Sequence, residues 1–212
     1  MERIEDRPPT RREARRQDRR DAIVTVAAQS FLECGYAGTT MSAIAATLGG
    51  SKGTLWSYFP SKPELFAAVL DEVTIAFRAR LSEILNPNGE LRPTLARFCL
   101  GFMAKVTSPH AIALHRLIVA EAGRFPEIGQ IFYERAPRAT QRLLADFLAG
   151  AMERGQLRRD DPLIAARLLV NLCMASSHQE LLLGLIEAAT DERMETDVER
   201  ALDIFMRAYA PI

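Results

Sequence analysis

Histidine, cysteine, lysine and tryptophan are scarce in this chain of 212 residues, with three, three, three and one copies. His110 and His115 are five apart, not the four that sets two ligands one helical turn apart, so no metal centre is expected. Cys34, Cys99 and Cys173 are odd in number and widely spaced. That excludes a disulfide framework and fits reduced thiols in the cytoplasm. The 27 basic and 27 acidic residues cancel, so no global basicity points to nucleic acid. A glycine-rich phosphate loop, an H-E-x-x-H pair and a nucleophile elbow are all missing, and neither an enzyme nor a cofactor is expected. The N-terminus lacks the apolar core of a secretory signal. In the most apolar stretch, Leu163–Ile186, Arg167 and Glu180 leave 12 uncharged residues between them, too few to span a bilayer. Period-2 alternation is absent, as are internal repeats, so a β fold is not expected.

What is present is helical. Residues 1–20 hold eight arginines among acids and two prolines, and predict a flexible arm. From Asp21 onward Ile23, Ala27, Phe31 and Cys34 share one helical face, closed by Gly35. Thr40 is a natural N-cap for a short helix whose stripe is Met41, Ile44, Ala45 and Leu48, and Gly49 ends it in the left-handed region. A third helix runs from about Lys52 to Phe59, with Leu55 and Phe59 inward and Gly53, Thr54, Trp56 and Ser57 outward. Ser61 caps a fourth, which carries a stripe to about Leu85 and stops at Asn86-Pro87-Asn88-Gly89. Further helices are predicted at about 91–107, 110–124, 126–135, 137–154, 162–187 and 194–209. Pro137 opens a helix or kinks a longer one. The fold class is therefore all-α with about nine helices: an arm (1–20), a three-helix helix-turn-helix domain (21–66, from which the fourth helix continues to about 85 as a connector) and a helical domain (67–212).

The segment Thr39–Lys62 carries the functional signal. Two helices joined by a tight turn place the start of the second in the major groove of DNA while the first crosses the backbone. Ser51, Gly53 and Thr54 are small enough for close approach, and the hydroxyls of Ser51 and Thr54 suit phosphate oxygens. Lys52 reaches a base edge or a phosphate, and Lys62 the flanking backbone; two of the three lysines lie here. Arg15, Arg16, Arg19 and Arg20 of the arm either enter the minor groove or belong to a solvated tail diluted by Glu2, Glu5, Asp6, Glu13 and Asp18.

These residues resemble the DNA-binding motif of the tetracycline-repressor (TetR) type of bacterial regulators. The match comprises Thr39, Thr40, Ile44, Ala45, Gly49, Ser51, Gly53, Thr54, Leu55, Tyr58, Phe59, Ser61, Lys62 and Leu65. Gly50 stands where the motif carries an apolar residue, usually Val; Trp56 replaces Tyr and Pro63 an acid. The resemblance implies phosphate contacts from Thr40, Trp56, Tyr58 and Lys62, and groove contacts from Ser42, Lys52, Gly53, Thr54 and Ser57. The stretches His115–Glu127, Phe132–Arg135 and Gly155–Pro162 resemble the C-terminal domains of the AefR-like branch.

By that resemblance the C-terminal part binds a small effector and makes a homodimer. Leu163–Ile186, apolar around most of its circumference, independently asks for cover on two sides, and 194–209 carries a single stripe. These predict a four-helix interface about a two-fold axis, with His178, Leu181, Leu182, Leu185, Val198, Ala201 and Phe205 in it. An apolar effector pocket is expected among Phe77, Phe102, Met103, His115, Ile118, Phe147, Asn171 and Met174. The expected protein is a cytoplasmic, ligand-responsive homodimer that binds a palindromic double-stranded operator and is released by an apolar effector. The alternatives are an activator or effector-blind regulator and, more remotely, a helical enzyme or a protein-binding adaptor.

Overall fold

The computed structural model describes residues 10–211, and among these every regular element is a helix. There are eleven: α1 (Arg11–Gly38), α2 (Met41–Thr47), α3 (Lys52–Tyr58), α4 (Lys62–Ile84), α5 (Leu91–Val106), α6 (Pro109–Glu121), α7 (Pro126–Arg135), α8 (Pro137–Glu153), α9 (Pro162–Cys173), α10 (Ser177–Leu183) and α11 (Asp191–Ala208). The chain divides into two compact units between Val69 and Leu70, within α4.

In the first unit α1 begins ten residues before the predicted start at Asp21. Thr10 and Glu13 form a reciprocal capping box, with Thr10 Oγ1 accepting from the Glu13 amide and Glu13 Oε2 from the Thr10 amide (2.7 Å). The predicted flexible arm is thus helix from Arg11; its first nine residues lie outside the described part. Ile23, Ala27 and Phe31 are buried as their spacing predicts, and Val24 is buried with them, but Cys34 is exposed. The backbone breaks at Gly35 (φ 73°), and Tyr36 takes the core position instead. Phe31, Tyr36 and Phe66 form an aromatic triangle, with centroids 5.1 to 5.7 Å apart.

In the second unit α8 packs on α9, and α11 lies across α5 and α9. Ala151, Ala165, Ala166 and Ala201 are small enough for these axes to approach, and Phe98, Met103, Leu144, Leu148, Leu169 and Leu202 fill the space between. Ala136 (φ −111°, ψ −80°) separates α7 from α8, so Pro137 opens a helix rather than kinking one.

The predicted helix at 162–187 is two helices. Ser176 (φ −120°, ψ −96°) interrupts it, and the buried Asp197 of α11 accepts the freed Ser177 amide at 3.1 Å. A carboxylate twenty residues away thus satisfies a donor that the helix ladder would otherwise use.

Candidate nucleic-acid interface

α2, its turn and α3 are positioned by their caps. Thr40 Oγ1 accepts the Ala43 amide at 3.1 Å, and Ser51 Oγ the Thr54 amide at 3.2 Å. Gly49 adopts φ 62°, the left-handed conformation that ends α2 and turns the chain. Met41, Ile44, Ala45, Leu55 and Phe59 are buried, with α2 packed on α1 and on α3. The opposite arc faces solvent: Thr40, Ser42, Gly53, Thr54 and Ser57 are exposed, and Trp56 is 46% exposed. The hydroxyls are pre-oriented, with Ser51 Oγ and Thr54 Oγ1 sharing a 2.9 Å hydrogen bond and Ser57 donating to the Thr54 carbonyl at 2.7 Å. The Lys52 side chain lies outside the described part.

Two residues behave differently from expectation. Lys62, predicted to hold the phosphate backbone, points inward. Its ammonium donates to the carbonyls of Tyr36 (2.7 Å) and Thr39 (3.0 Å) and sits 4.2 Å from the centre of the Tyr36 ring. The carbonyl-rich end of α1 attracts the cation, which closes the corner into α2. Tyr58 is half-buried, with the Arg16 guanidinium 6.0 Å from its ring centre.

Arg19 and Arg20 have roles that the sequence did not reveal. Arg19 Nη2 donates to the Leu48 carbonyl at 3.2 Å, capping α2, and the Arg20 guanidinium lies 5.2 Å from the Phe59 ring centre. The Thr10-x-x-Glu13 capping box was the available signal, because it makes this stretch a helix that can pack.

The effector candidates do not converge on one place. Phe77, Phe102, Met103 and Phe147 are buried in the core of the second unit, and Met174 packs against it. Ile118 is buried, whereas Asn171 is exposed, so its amide escapes the expected burial. His115 of α6 lies 5.4 Å, centre to centre, from His178 of α10 and 5.9 Å from Phe132 of α7. Burial, and then the nearby His115, push His178 down to about 4; burial alone pushes His115 down. Both imidazoles are therefore neutral at pH 7. A surface groove of about 750 Å³ lies elsewhere, between α5 and α11, with Leu100, Val198 and Ile204 along it and Glu199, Arg200 and Asp203 at its rim.

The interface candidates also need correction. His178 and Leu181 are buried within the protomer, where α10 packs on α6 and α11, and Val198, Ala201 and Phe205 are buried because the stripe of α11 faces α5 and α9. Leu182 is half-buried and Leu185 exposed. On α9, α10 and α11 the large apolar side chains left in solvent are Ile164 and Leu168 on α9, Leu183 and Leu185 at and after the end of α10, and Ile204 on α11; Val73, Ile75 and Val119 are exposed on α4 and α6.

A helix-turn-helix unit with an outward polar arc, continued into a separate all-α unit, defines a helix-turn-helix regulator of transcription. Residues 23–69 match the family described as bacterial regulatory proteins, tetR family, and residues 93–211 match the AefR-like transcriptional repressor, C-terminal domain. The chain belongs to the TetR family, with a C-terminal domain of the AefR-like type, and is a DNA-binding regulator of transcription. Its relatives are regulators, not enzymes. It is similar to the flavonoid-responsive regulator FrrA, with 34% identity and a TM-score of 0.81 over 92% of this chain and 98% of that one. A TetR-family regulator from Mesorhizobium loti shares the fold at 24% identity and a TM-score of 0.80, over 95% and 100% of the two chains. The uncharacterized HTH-type regulator YhgD of Bacillus subtilis is 22% identical over 74% of this chain and 82% of its own length. No helix among the described residues is long and apolar enough to cross a membrane.

Proposed function

We propose that this chain is a cytoplasmic homodimeric repressor that a small, largely apolar effector releases from a palindromic operator. The observation that carries the reading is the exposed arc of Thr40, Ser42, Gly53, Thr54, Trp56 and Ser57 on a helix pair whose other side buries Met41, Ile44, Ala45, Leu55 and Phe59. Small groups there admit the backbone to the groove, and Trp56 brings an N–H donor to a phosphate. Lys62 supports this surface from behind by holding the corner that presents Thr40.

Ile164, Leu168 and Ile204 are the apolar groups on α9 and α11 that a second copy would cover, and they supply the dimer face that the buried stripe cannot. FrrA is named for its response to flavonoids, and at 34% identity that supports a polyphenol-class effector here. The neutral pair His115 and His178, beside Phe132, offers rings to stack on and nitrogens to pair with phenolic hydroxyls. Effector and operator then oppose each other by equal factors.

The test is fluorescence anisotropy against a duplex carrying the gene's own upstream region, with a scrambled duplex as control, across a salt series and then with flavonoids added. Sequence-selective binding that a flavonoid reverses supports the proposal. Binding that no effector reverses would reduce it to an effector-blind regulator. Failure on that duplex and on a random library would remove the DNA-binding assignment of these residues.

A further inference from the structure

We infer that the N-terminal extension of α1 is a second DNA-contact element, a rigid basic ridge on which Arg12, Arg15 and Arg16 hold backbone phosphates beside the groove that α3 enters. The inference rests on the DNA-binding reading above and adds a surface to it.

α1 starts at Arg11, twelve residues before the part matched to the family's DNA-binding domain, which adds about 18 Å of helix at 1.5 Å per residue. At 100° per residue Arg12, Arg15, Arg16, Arg19 and Arg20 fall within an arc of about 140°. Among the described residues, the acids of this stretch lie off the arc or are engaged elsewhere. Glu13 is engaged in the capping box, Asp21 accepts from Gln17 Nε2 at 2.7 Å, and Asp18 lies off the arc. The arc also has a fixed place. Arg19 reaches the α2–α3 turn at Leu48, Arg20 covers Phe59, and Arg16 lies over Tyr58 at the end of α3. Three separate contacts therefore set the basic face along the helix-turn-helix.

The five arginines divide the work. Arg19 and Arg20 are half-buried braces, whereas residues 11–18 are exposed. Among the described residues Arg12, Arg15 and Arg16 make no ion pair with a carboxylate. A planar guanidinium pairs two N–H donors with phosphate oxygens. A preformed helix loses less conformational freedom on binding than a mobile arm would.

The experiment uses the full chain and duplexes recovered from a random library by the wild type, in two lengths: the selected core alone, and the core extended by about one helical turn on each side. The triple variant R12Q/R15Q/R16Q keeps long, helix-compatible side chains. On the long duplex its log–log salt slope is expected to fall by about two to three, at about 0.9 per lost phosphate, with at least a tenfold loss of affinity at low salt. On the short duplex it is expected to bind like the wild type. The charge-retaining R12K/R15K/R16K variant is expected to keep most of the slope, which separates lost charge from lost helix. A wild-type slope and affinity for the glutamine variant on the long duplex would overturn the ridge and leave the regulator reading intact. A wild type that binds no duplex would overturn both.

Discussion

Arg19 and Gly50 share one space: Arg19 Nη2 donates to the Leu48 carbonyl at 3.2 Å, and a Cβ on Gly50 would stand 2.8 Å from that same nitrogen. Where the TetR motif usually carries Val in this turn, this chain has a glycine and an arginine from the preceding helix. The guanidinium caps the C-terminal end of α2, where carbonyls attract a cation. The missing side chain of the turn is thus replaced from 31 residues upstream.

A double-mutant cycle checks this. Arg19→Ala is expected to destabilise the protein by about 1 kcal/mol, through the lost charge-assisted hydrogen bond. Gly50→Ala displaces the guanidinium but restricts the unfolded chain, so its net cost is expected below about 1 kcal/mol. In the Gly50→Ala background, Arg19→Ala is expected to cost at least about 0.5 kcal/mol less, by urea denaturation. Additive effects would mean that the two residues do not share the site.

Lys62→Met is expected to destabilise the N-terminal unit by about 2 kcal/mol, because two carbonyls lose a charged donor and a ring loses its cation. The measurement is urea unfolding followed by tryptophan fluorescence, since Trp56 is the single tryptophan and lies in this unit. Where the variant remains folded, its salt slope on DNA is expected to match the wild type. A slope lower by about 0.9 would return Lys62 to the phosphate backbone.

Stability is expected to fall as the pH drops from about 6.5 to about 4. His178 titrates near 6.5 when unfolded and near 4 when folded, chiefly because burial disfavours its charge. In that window the unfolded chain takes up a proton that the folded chain refuses, so acid favours unfolding, and the effect levels off below it. His178→Phe is expected to flatten the dependence, seen as a smaller shift in urea midpoint between pH 7 and pH 5. An unchanged shift would exclude His178 as its source.

A thiol reagent is expected to label one cysteine rapidly in the native protein and all three after denaturation. Cys34 is exposed, whereas Cys99 and Cys173 are buried. The Cys173 thiol, by hydrogen bonding, and then burial push the Cys99 thiol well above its ordinary value, which suppresses the reactive thiolate. Labelling of a Cys34→Ser variant under native conditions would contradict this burial.

Helix spacing alone was enough to place the short-range features. Thr40 and Ser61 cap helices as their side chains predict, Gly49 turns left-handed, and Met41, Ile44 and Ala45 of the α2 stripe are buried while Leu48 is half-buried. The arc of Thr40, Gly53, Thr54 and Trp56 was legible for the same reason: caps and 3.6-residue periodicity depend on neighbours within one or two turns.

What escaped the sequence depends on distant partners. The stripe of α11 could face a second subunit or its own protomer, and only the packing of α5 and α9 chose the latter. Leu163–Ile186 could run as one helix until Asp197, arriving from α11, accepted the Ser177 amide and stabilised the break. Lys62 had the composition of a phosphate ligand, but the end of α1 offered two carbonyls and an aromatic face. By itself, then, the sequence determined the all-α class, the helix-turn-helix and its outward arc, because local propensity and periodicity specify them. The tertiary structure decided which charges face solvent and which apolar stripe is core, because desolvation and packing depend on residues far away in the chain.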